Sequence, residues 1–397
     1  MQRRTLMGIG GFGGLALAGG SLLAATGRAH ADDSPQNVGF VNVKDPQFGA
    51  RGDGSDDTAA IQAAVNSCFG SPAAPHGSAA VSKNGVLYFP PGIYRITAPI
   101  ELTKLHGCRI LGSGRTTTRI VNETHGGVFA TNGCGYSHFE GLCLISSDNN
   151  NAVFDLNWDG TPGGAALQSN TFIDMFFDGG AYGVDIGAGG FMGSENIFVN
   201  CFWYRSAMAG LKTSNFNACQ NTVVGGNLQA CNMGIWVSRG SVTMIESVGF
   251  QLQKEWDIRV DNSANDTINV IGCRTESPNF MQIKNYVHAV VLGCTHAASA
   301  DPSTFLQPGR CPTTVERCVS IDGQIDLDAE ARLTVRGCSF GRKDWLSYGT
   351  LYPNQVIELE DIQYGGTPNS HPNGVPLQIA KQRITSEGTF DYMVKRA

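Results

Sequence analysis

One phrase recurs seven times, with variation, along the chain: S-H-F-E-G-L-C-L (137–144), N-T-F-I-D-M-F-F (170–177), N-I-F-V-N-C-F-W (196–203), T-V-V-G-G-N-L (222–228), V-T-M-I-E-S-V-G (242–249), I-N-V-I-G-C-R (268–274) and V-V-L-G-C-T-H (290–296). We predict that the later copies turn at Asp174, Asn200, Gly225, Glu246, Gly272 and Gly293, at intervals of 26, 25, 21, 26 and 21 residues. Such irregular periods exclude rigid hexapeptide or helical repeats. They indicate short strands stacked as a parallel β-helix, because each coil can bury its apolar side only against its neighbours.

A second set of phrases alternates between apolar and polar residues: F-D-L-N (154–157), G-V-D-I-G (183–187), G-L-K-T-S (210–214), G-I-W-V-S (234–238), W-D-I-R-V-D (256–261) and F-M-Q-I-K (280–284). Successive side chains of a strand point to opposite faces. Stacking the coils at about 4.8 Å therefore predicts an outward column of Asp155, Asp185, Lys212, Trp236, Arg259 and Gln282. Two residues further along the strands, a parallel column contains Asn157, Ser214, Ser238, Asp261 and Lys284. We expect the chemistry of the protein on this surface.

Residues 1–31 predict an export signal. Arg3 and Arg4 precede a weakly hydrophobic run rich in Gly and Ala, and Ala29-His30-Ala31 supplies the small residues that an export peptidase reads. The paired arginines resemble a twin-arginine signal. We therefore expect a secreted or periplasmic protein whose single β-helix domain spans residues 32–397.

Charge argues against nucleic-acid binding, and hydropathy argues against a membrane-spanning segment. Removing three arginines with the signal leaves 25 of the 28 basic residues against 34 acidic ones, a net charge of −9. Such an acidic chain lacks the basic footprint of a nucleic-acid-binding protein. Beyond the signal, no apolar run approaches the roughly 20 residues of a membrane span.

The cysteines allow two interpretations. Twelve cysteines in an exported chain ordinarily suggest disulfides. Four of them follow the same predicted turn, and there we expect a ladder of buried thiols: Cys201, Cys273, Cys294 and Cys338. The better disulfide candidates are the pairs Cys311 with Cys318 and Cys219 with Cys231. No CxxC pair or His cluster has zinc spacing, so we expect neither a metal nor another cofactor.

The opening of the mature chain carries a family resemblance. The phrase F-G-A-R-G-D-G-S-D-D-T-A-A-I-Q-A-A-V (48–65) contains a turn followed by an amphipathic helix, which can cover the open end of a solenoid. Together with G-V-L-Y-F-P-P-G-I-Y-R-I (85–96), it resembles the start of the pectate-lyase-like superfamily of polygalacturonases, rhamnogalacturonases, epimerases and phage tailspike depolymerases. The resemblance covers roughly residues 43–100. It implies an all-β, right-handed parallel β-helix with an N-terminal capping α-helix, and a polysaccharide or oligosaccharide substrate. Because some depolymerases of this superfamily are trimers, it also allows a homotrimer.

Two sets of acidic residues are candidates for catalysis. Glycosidases use two carboxyl groups, separated by about 5–5.5 Å for retention and about 6.5–9.5 Å for inversion. Adjacent coils of a β-helix supply such a spacing. The first candidate pair is Asp155 and Asp185. The second set is Asp174 and Asp178, predicted to lie on one strand, with Glu246 in the same column. The leading hypothesis is therefore a glycoside hydrolase that degrades a polysaccharide.

Basic and aromatic residues keep a second enzymatic hypothesis open. We predict that substrate is bound by Lys212, Trp236, Arg259, Asp261, Lys284, Tyr204 and Arg205. A polysaccharide lyase acting by β-elimination on a uronate needs a cation beside the carboxylate and a base for the neighbouring proton. Lys212, Arg259 and Lys284 fit those needs, and His296 is a further candidate base. Trp236 is expected to offer its indole ring to a sugar face.

A third hypothesis is a non-catalytic carbohydrate-binding surface protein. The phrases G-H-G and R-I-K of polygalacturonases and D-P-H-D of alginate epimerases are absent from the sequence. The catalytic residues of those enzymes are therefore not carried over to this chain.

Overall fold

The computed structural model describes residues 40–70, 85–160, 168–261, 267–285, 288–298, 302–327, 331–342, 344–348, 356–365, 377–385 and 388–393. All of them belong to one compact unit, Gly39–Ala397. Within these ranges the chain forms one α-helix, and nearly all its strands pair in parallel. The chain is thus a right-handed parallel β-helix, as predicted. The predicted export signal lies outside the described residues.

Each coil contributes strands to three faces of the helix. Face 1 is an eleven-stranded parallel sheet made of Ile100–His106, Phe129–Gly135, Ala152–Leu156, Tyr182–Ile186, Ala209–Ser214, Met233–Arg239, Trp256–Val260, Asn279–Ile283, Ser303–Pro308, Gly323–Leu327 and Leu346–Tyr348. Face 2 contains Phe40–Asn42, Val86–Phe89, Arg109–Gly112, His138–Glu140, Thr171–Ile173, Ile197–Val199, Asn221–Val224, Val242–Glu246, Thr267–Ile271, His288–Leu292, Pro312–Glu316 and Arg332–Arg336. Face 3 contains Asp53–Asp56, Gly92–Ile96, Thr118–Asn122, Cys143–Ser146, Phe176–Gly179, Phe202–Tyr204, Asn227–Gln229, Gly249–Gln251, Arg274–Thr275, Thr295–His296, Val319–Ser320 and Ser339–Phe340.

Both ends of the β-helix are covered. The helix Thr58–Phe69 buries Ile61, Val65 and Phe69 against the first coil. At the other end, the long strand Val356–Tyr364 pairs with faces 2 and 3, and it is followed by the antiparallel strands Leu377–Thr385 and Gly388–Met393. Covering the end coils keeps their apolar side chains and strand edges from solvent. The described helix is too short to cross a membrane.

The interior is a stack of apolar side chains, one layer per coil. The phenyl rings of Phe139 and Phe172 stack with centroids 4.9 Å apart, and those of Phe172 and Phe198 follow at 4.6 Å. All three rings are fully buried. Such stacking fixes the register between coils, because a one-residue slip would turn every inward side chain outward. The same register aligns the outward columns.

The turn between faces 2 and 3 is made by a residue with positive φ in each coil. Asp174, Asn200, Gly225, Ser247, Gly272 and Gly293 occupy it, with φ between 50° and 65°. The prediction that Glu246 makes this turn is wrong by one residue. Asn221 pairs with Val242 but Thr222 pairs with Met244, so that strand contains one extra residue before the turn. Glu246 instead ends a strand of face 2.

None of the twelve cysteines, all of which lie in the described ranges, forms a disulfide bond. The predicted thiol ladder is confirmed for Cys273, Cys294 and Cys338, with Cys318 as a further member, whereas Gly226 and Val248 separate Cys201 from it. The backbone N–H of Cys294 donates to Cys318 Sγ at 3.4 Å, and that of Cys318 donates to Cys338 Sγ at 3.4 Å. Cys318 follows the positive-φ residue Arg317 and therefore points into the core. The predicted Cys311–Cys318 and Cys219–Cys231 disulfides are wrong.

Candidate functional site

The predicted outward column lies on face 1 in the expected register. Asp155 pairs with Asp185, Asp185 with Lys212, Lys212 with Trp236, Trp236 with Arg259, and Arg259 with Gln282. The column therefore brings two carboxyl groups, two cations and an indole ring onto one line. Toward the N-terminal end of the β-helix, Asp155 pairs with Ala130, and Ala130 pairs with Glu101.

The carboxyl group of Asp155 has no partner among the residues that the structure describes. It is half-buried, and it makes no hydrogen bond or ion pair with any residue in the described ranges. Burial, with smaller contributions from the charges of Asp185 and Glu101, raises the pKa of Asp155 to about 7. The group therefore remains protonated in part near neutral pH.

Asp185, one coil away, is held by two donors. Its carboxyl group is almost completely buried, with 8% of the side chain exposed, and Lys212 Nζ lies 3.4 Å from Oδ2. Ser214 Oγ donates a hydrogen bond to Oδ1. Burial raises the pKa of Asp185, and the positive charge of Lys212 and the Ser214 hydroxyl oppose that rise. Lys212 and Ser214 thus favour the ionised form of this one carboxyl group.

Lys212 is itself held between aromatic rings. Its ammonium group lies 4.3 Å from the ring centroid of Tyr182 and 5.2 Å from that of Trp236. Only 15% of its side chain is exposed. A desolvated cation interacts more strongly with ring faces and with a neighbouring carboxylate than one in water does. Lys212 is therefore fixed beside Asp185.

The next coils form an ion-pair network around Asp261. Trp236 Nε1 donates to Asp261 Oδ2 at 2.8 Å, while Arg259 Nε and Lys284 Nζ each lie 3.0 Å from Oδ1. Burial acts to raise the pKa of Asp261, but the hydrogen bonds from Arg259, Trp236 and Lys284 together lower it. Lys212 lies 5.2 Å and Arg259 5.9 Å from the Trp236 ring centroid. The indole ring is thus occupied by cations of this chain.

The predicted second column is interrupted by an irregularity. Thr213 pairs with Val237, but Ser214 pairs with Arg239 instead of Ser238. The strand Met233–Arg239 contains one extra residue at this point, so its register with the previous strand shifts. Consequently Arg239, not Ser238, lies beside the hydroxyl group that contacts Asp185.

The second set of predicted acids does not come together. Asp174 is the corner residue between faces 2 and 3, where the side chain of Asn200 donates to it. Asp178 lies beyond that corner, on face 3, and Glu246 stacks between Val224 and Ile271 on face 2. The prediction that Asp174 and Asp178 share a strand, with Glu246 in their column, is wrong because the positive-φ turn at Asp174 separates the two strands.

Tyr204 and Arg205 lie with Asp178, away from face 1. Arg205 Nε and Nη2 donate to the two carboxylate oxygens of Asp178 at 2.9 and 2.7 Å, and its guanidinium lies 4.8 Å from the Tyr204 ring centroid. A bidentate contact of this kind fixes both side chains. These three residues form a structural cluster on face 3.

His296 is inside the β-helix. It has no exposed surface, and its ring nitrogens contact Ser320 Oγ and the carbonyl oxygens of Ser277 and Pro278. Burial lowers the pKa of His296 despite those contacts. A polymer on the surface does not reach this imidazole, so the prediction of a surface base is wrong.

Three residues around this surface belong to neither predicted column: Glu101, Tyr182 and Arg239. Glu101 had a usable signal, because I-E-L-T (100–103) alternates like the later phrases. Tyr182 lies in the same strand as Asp185. Arg239 could not be placed from sequence, since alternation assigns that position to Ser238.

Comparisons with known proteins agree with this architecture. Residues 40–262 match the profile of the family described as rhamnogalacturonase A/epimerase, pectate lyase-like. A 62-residue stretch, 15% of this chain, is 48% identical to a probable glucan endo-1,3-beta-glucosidase of Arthroderma benhamiae, but it spans only 7% of that protein.

Two solved structures are similar in fold. Tailspike protein 2 of an Escherichia coli bacteriophage, CAB120, matches 76% of this chain and 43% of its own at 15% identity, with a TM-score of 0.57. The A-module of a mannuronan C-5 epimerase from Azotobacter vinelandii matches 82% of this chain and 100% of its own, also at 15% identity, with a TM-score of 0.51.

Proposed function

This chain belongs to the rhamnogalacturonase A/epimerase, pectate lyase-like family, and we propose that it is a glycoside hydrolase that cleaves a polysaccharide on face 1. In this proposal Asp155 is the general acid and Asp185 is the ionised carboxylate. The observation that carries it is the unequal pair: two aspartates in register on adjacent coils, of which only Asp185 has a cation and a hydroxyl donor.

Unequal carboxyl groups are what glycoside hydrolysis requires. The acid must hold a proton near the working pH, and the pKa of Asp155, raised to about 7, meets that need. Its partner must carry negative charge beside the developing positive charge of the sugar. Lys212 and Ser214 supply interactions that favour the ionised form of Asp185 against the effect of burial. The environments of the two residues thus separate their roles.

The spacing of the pair supports a double displacement. Residues in register on neighbouring parallel strands are about 4.8 Å apart, which is nearer to the carboxyl separation of about 5–5.5 Å in retaining enzymes than to the separation of about 6.5–9.5 Å in inverting ones. Asp155 would protonate the leaving oxygen while Asp185 attacks the anomeric carbon and forms a glycosyl ester. The Asp155 carboxylate would then take a proton from water, whose oxygen attacks the anomeric carbon and releases Asp185.

A lyase is less well supported by the same residues. Its cation must face the uronate, but Lys212 is paired with Asp185, and Arg259 and Lys284 both contact Asp261. A uronate would have to displace these carboxylates from groups they already neutralise. The geometry therefore favours the hydrolase, and a lyase remains the alternative outcome of a product assay.

The comparisons suggest which polymers to test. Similarity to a probable glucan endo-1,3-beta-glucosidase points to a β-1,3-glucan, and family membership points to pectic polymers. We also propose that residues 1–31 direct export, since a polymer-degrading enzyme must meet its substrate outside the cytoplasm. Assembly as a homotrimer is part of the same proposal and is testable by sedimentation.

A product assay tests the function directly. The purified protein is incubated with laminarin, polygalacturonate and alginate, and both reducing ends and ultraviolet absorbance of unsaturated sugars are followed. Reducing ends without absorbance, lost in both Asp155→Asn and Asp185→Asn, are expected. Absorbance that rises with the reducing ends would indicate a lyase. Activity that survives both substitutions but is lost in Asp174→Asn would move the site to the face 2–face 3 corner.

A further inference from the structure

Aromatic side chains rim the edge of face 1 nearest the carboxyl pair. Trp158 follows the strand that carries Asp155, Phe191 follows the strand that carries Asp185, and Phe216 follows the strand that carries Lys212. Parallel strands end at the same edge of a sheet, so three successive loops bring these rings to one side of the site.

Two of these rings are open to solvent. Phe191 is 52% exposed and Phe216 is also 52% exposed. A large apolar ring exposed to this extent loses the free energy of burial. An exposed aromatic ring in a wall beside a polar groove is typical of a ligand-binding surface.

Phe191 is fixed in place. Its ring contacts the indole of Trp158 edge-on, with centroids 6.0 Å apart, and packs closely against Gly160, where a Cβ would lie 2.7 Å from the ring. Asn217 Nδ2 donates to the Phe191 carbonyl oxygen at 3.0 Å and so links its loop to the next. A ring held rigidly loses little conformational entropy when it binds a ligand.

Phe216 is combined with a cation. The Arg239 guanidinium lies 5.4 Å from the centroid of its ring, and Arg239 is exposed. Within the described ranges no carboxylate pairs with Arg239, in contrast to Lys212, Arg259 and Lys284. A guanidinium carries five N–H donors, which suit sugar oxygens. The register shift places Arg239 beside Ser214, whose hydroxyl group donates to Asp185.

We infer that Phe191, Phe216 and Arg239 form a carbohydrate-binding rim, in which the two rings stack on sugar faces and Arg239 donates hydrogen bonds to sugar oxygens. The inference rests on the proposed function for the identity of the ligand as a polysaccharide. It assigns substrate positioning to two loop residues and to the last residue of a face 1 strand, all outside the face 1 column. It also explains why Trp236, occupied by Lys212 and Arg259, is not needed as an open stacking platform.

Affinity electrophoresis tests the rim without requiring turnover. The full chain is run in native gels containing laminarin, polygalacturonate or alginate, and the apparent dissociation constant is taken from the retardation. Phe191→Ala, Phe216→Ala and Arg239→Ala should each weaken binding to the retarding polymer about five- to tenfold. Phe40→Ala is the matched control, since Phe40 is 60% exposed on face 2; it should bind like the unsubstituted protein.

Two further variants separate binding from folding. Phe191→Tyr and Phe216→Tyr keep the aromatic rings and should retain binding. If the Ala variants lose thermal stability in proportion to their loss of binding, the role of the rings is structural. If a polymer retards the native protein and all three Ala variants equally, the rim is overturned while the proposed function stands. If none of the three polymers is retained or cleaved, the proposed function fails and the inference fails with it.

Discussion

Asp155 and Asp185 occupy the same position on adjacent strands, yet only Asp185 lies within 3.4 Å of the Lys212 ammonium. The Coulomb energy of two charges depends on distance and on the surrounding dielectric, and both favour this contact at a desolvated site. One coil of displacement along the β-helix therefore gives two chemically identical groups different electrostatic surroundings. The first two predictions follow from that difference.

Activity should fall as pH rises above neutrality. The active form needs a protonated Asp155, whose pKa is raised to about 7. We expect kcat/KM to fall about tenfold per pH unit on the alkaline side of that value. Asp155→Asn should lower kcat about 10²- to 10⁴-fold, whereas Asp53→Asn, in the first strand of face 3, should leave it unchanged. An unaltered alkaline limb in Asp155→Asn would assign the limb to another group.

Lys212→Met should move the acidic limb of the pH profile. Lys212 lowers the pKa of Asp185 against the effect of burial, so removing its charge should raise that pKa and shift the acidic limb toward higher pH. We expect kcat to fall at least tenfold at pH 5 and less at pH 7, measured on the polymer that the product assay identifies. Lys44→Met is the control, because Lys44 also lies over an aromatic ring, 5.4 Å from the Tyr94 centroid, but at the N-terminal end.

Hydrolysis should proceed with retention at the anomeric carbon. The in-register pair has the short spacing, about 4.8 Å between strands, that favours a glycosyl ester on Asp185 over direct attack by water. Proton NMR of the first reducing ends formed should show the anomer of the substrate linkage. A product of opposite configuration would place a water between the carboxyl groups and remove the nucleophilic role from Asp185.

Stability should decrease as pH rises from about 4 to about 8 because of Asp257. This carboxyl group is fully buried; Thr275 Oγ1 donates to Oδ2, and Oδ1 has no hydrogen-bond partner among the described residues. Burial raises its pKa to about 8 from an ordinary value of 3.8. Between those values the folded chain holds a proton that the unfolded chain has lost, so the free energy of unfolding falls with increasing pH, by up to about 1.4 kcal/mol per pH unit.

Asp257→Asn tests this expectation. The amide remains neutral at every pH, so the slope of the unfolding free energy between pH 5 and pH 8 should become shallower in urea titrations. The difference from the native chain should be largest at pH 8. An equal slope in both proteins would mean that another group binds the proton.

The columns of face 1 could be predicted because side-chain alternation has a period of two and the coils are stacked in register. The phrases around Asp155, Asp185, Lys212 and Trp236 therefore aligned correctly. Single-residue insertions could not be predicted. One insertion moves the turn from Glu246 to Ser247, and another replaces Ser238 by Arg239 beside Ser214. An inserted residue leaves the alternation of apolar and polar residues within its own strand almost unchanged. It can be recognised only from the pairing of that strand with its neighbour.

By itself, then, the sequence determined the solenoid, its capped N-terminus and the outward column, since periodicity and alternation are local properties of the chain. Tertiary structure decided what the column can do. It showed that Lys212 reaches Asp185 and not Asp155, that Asp174, Asp178 and Glu246 lie apart, and that His296 is buried. Protonation and exposure depend on the groups that surround a side chain, and those groups come from coils some 25 residues away in sequence.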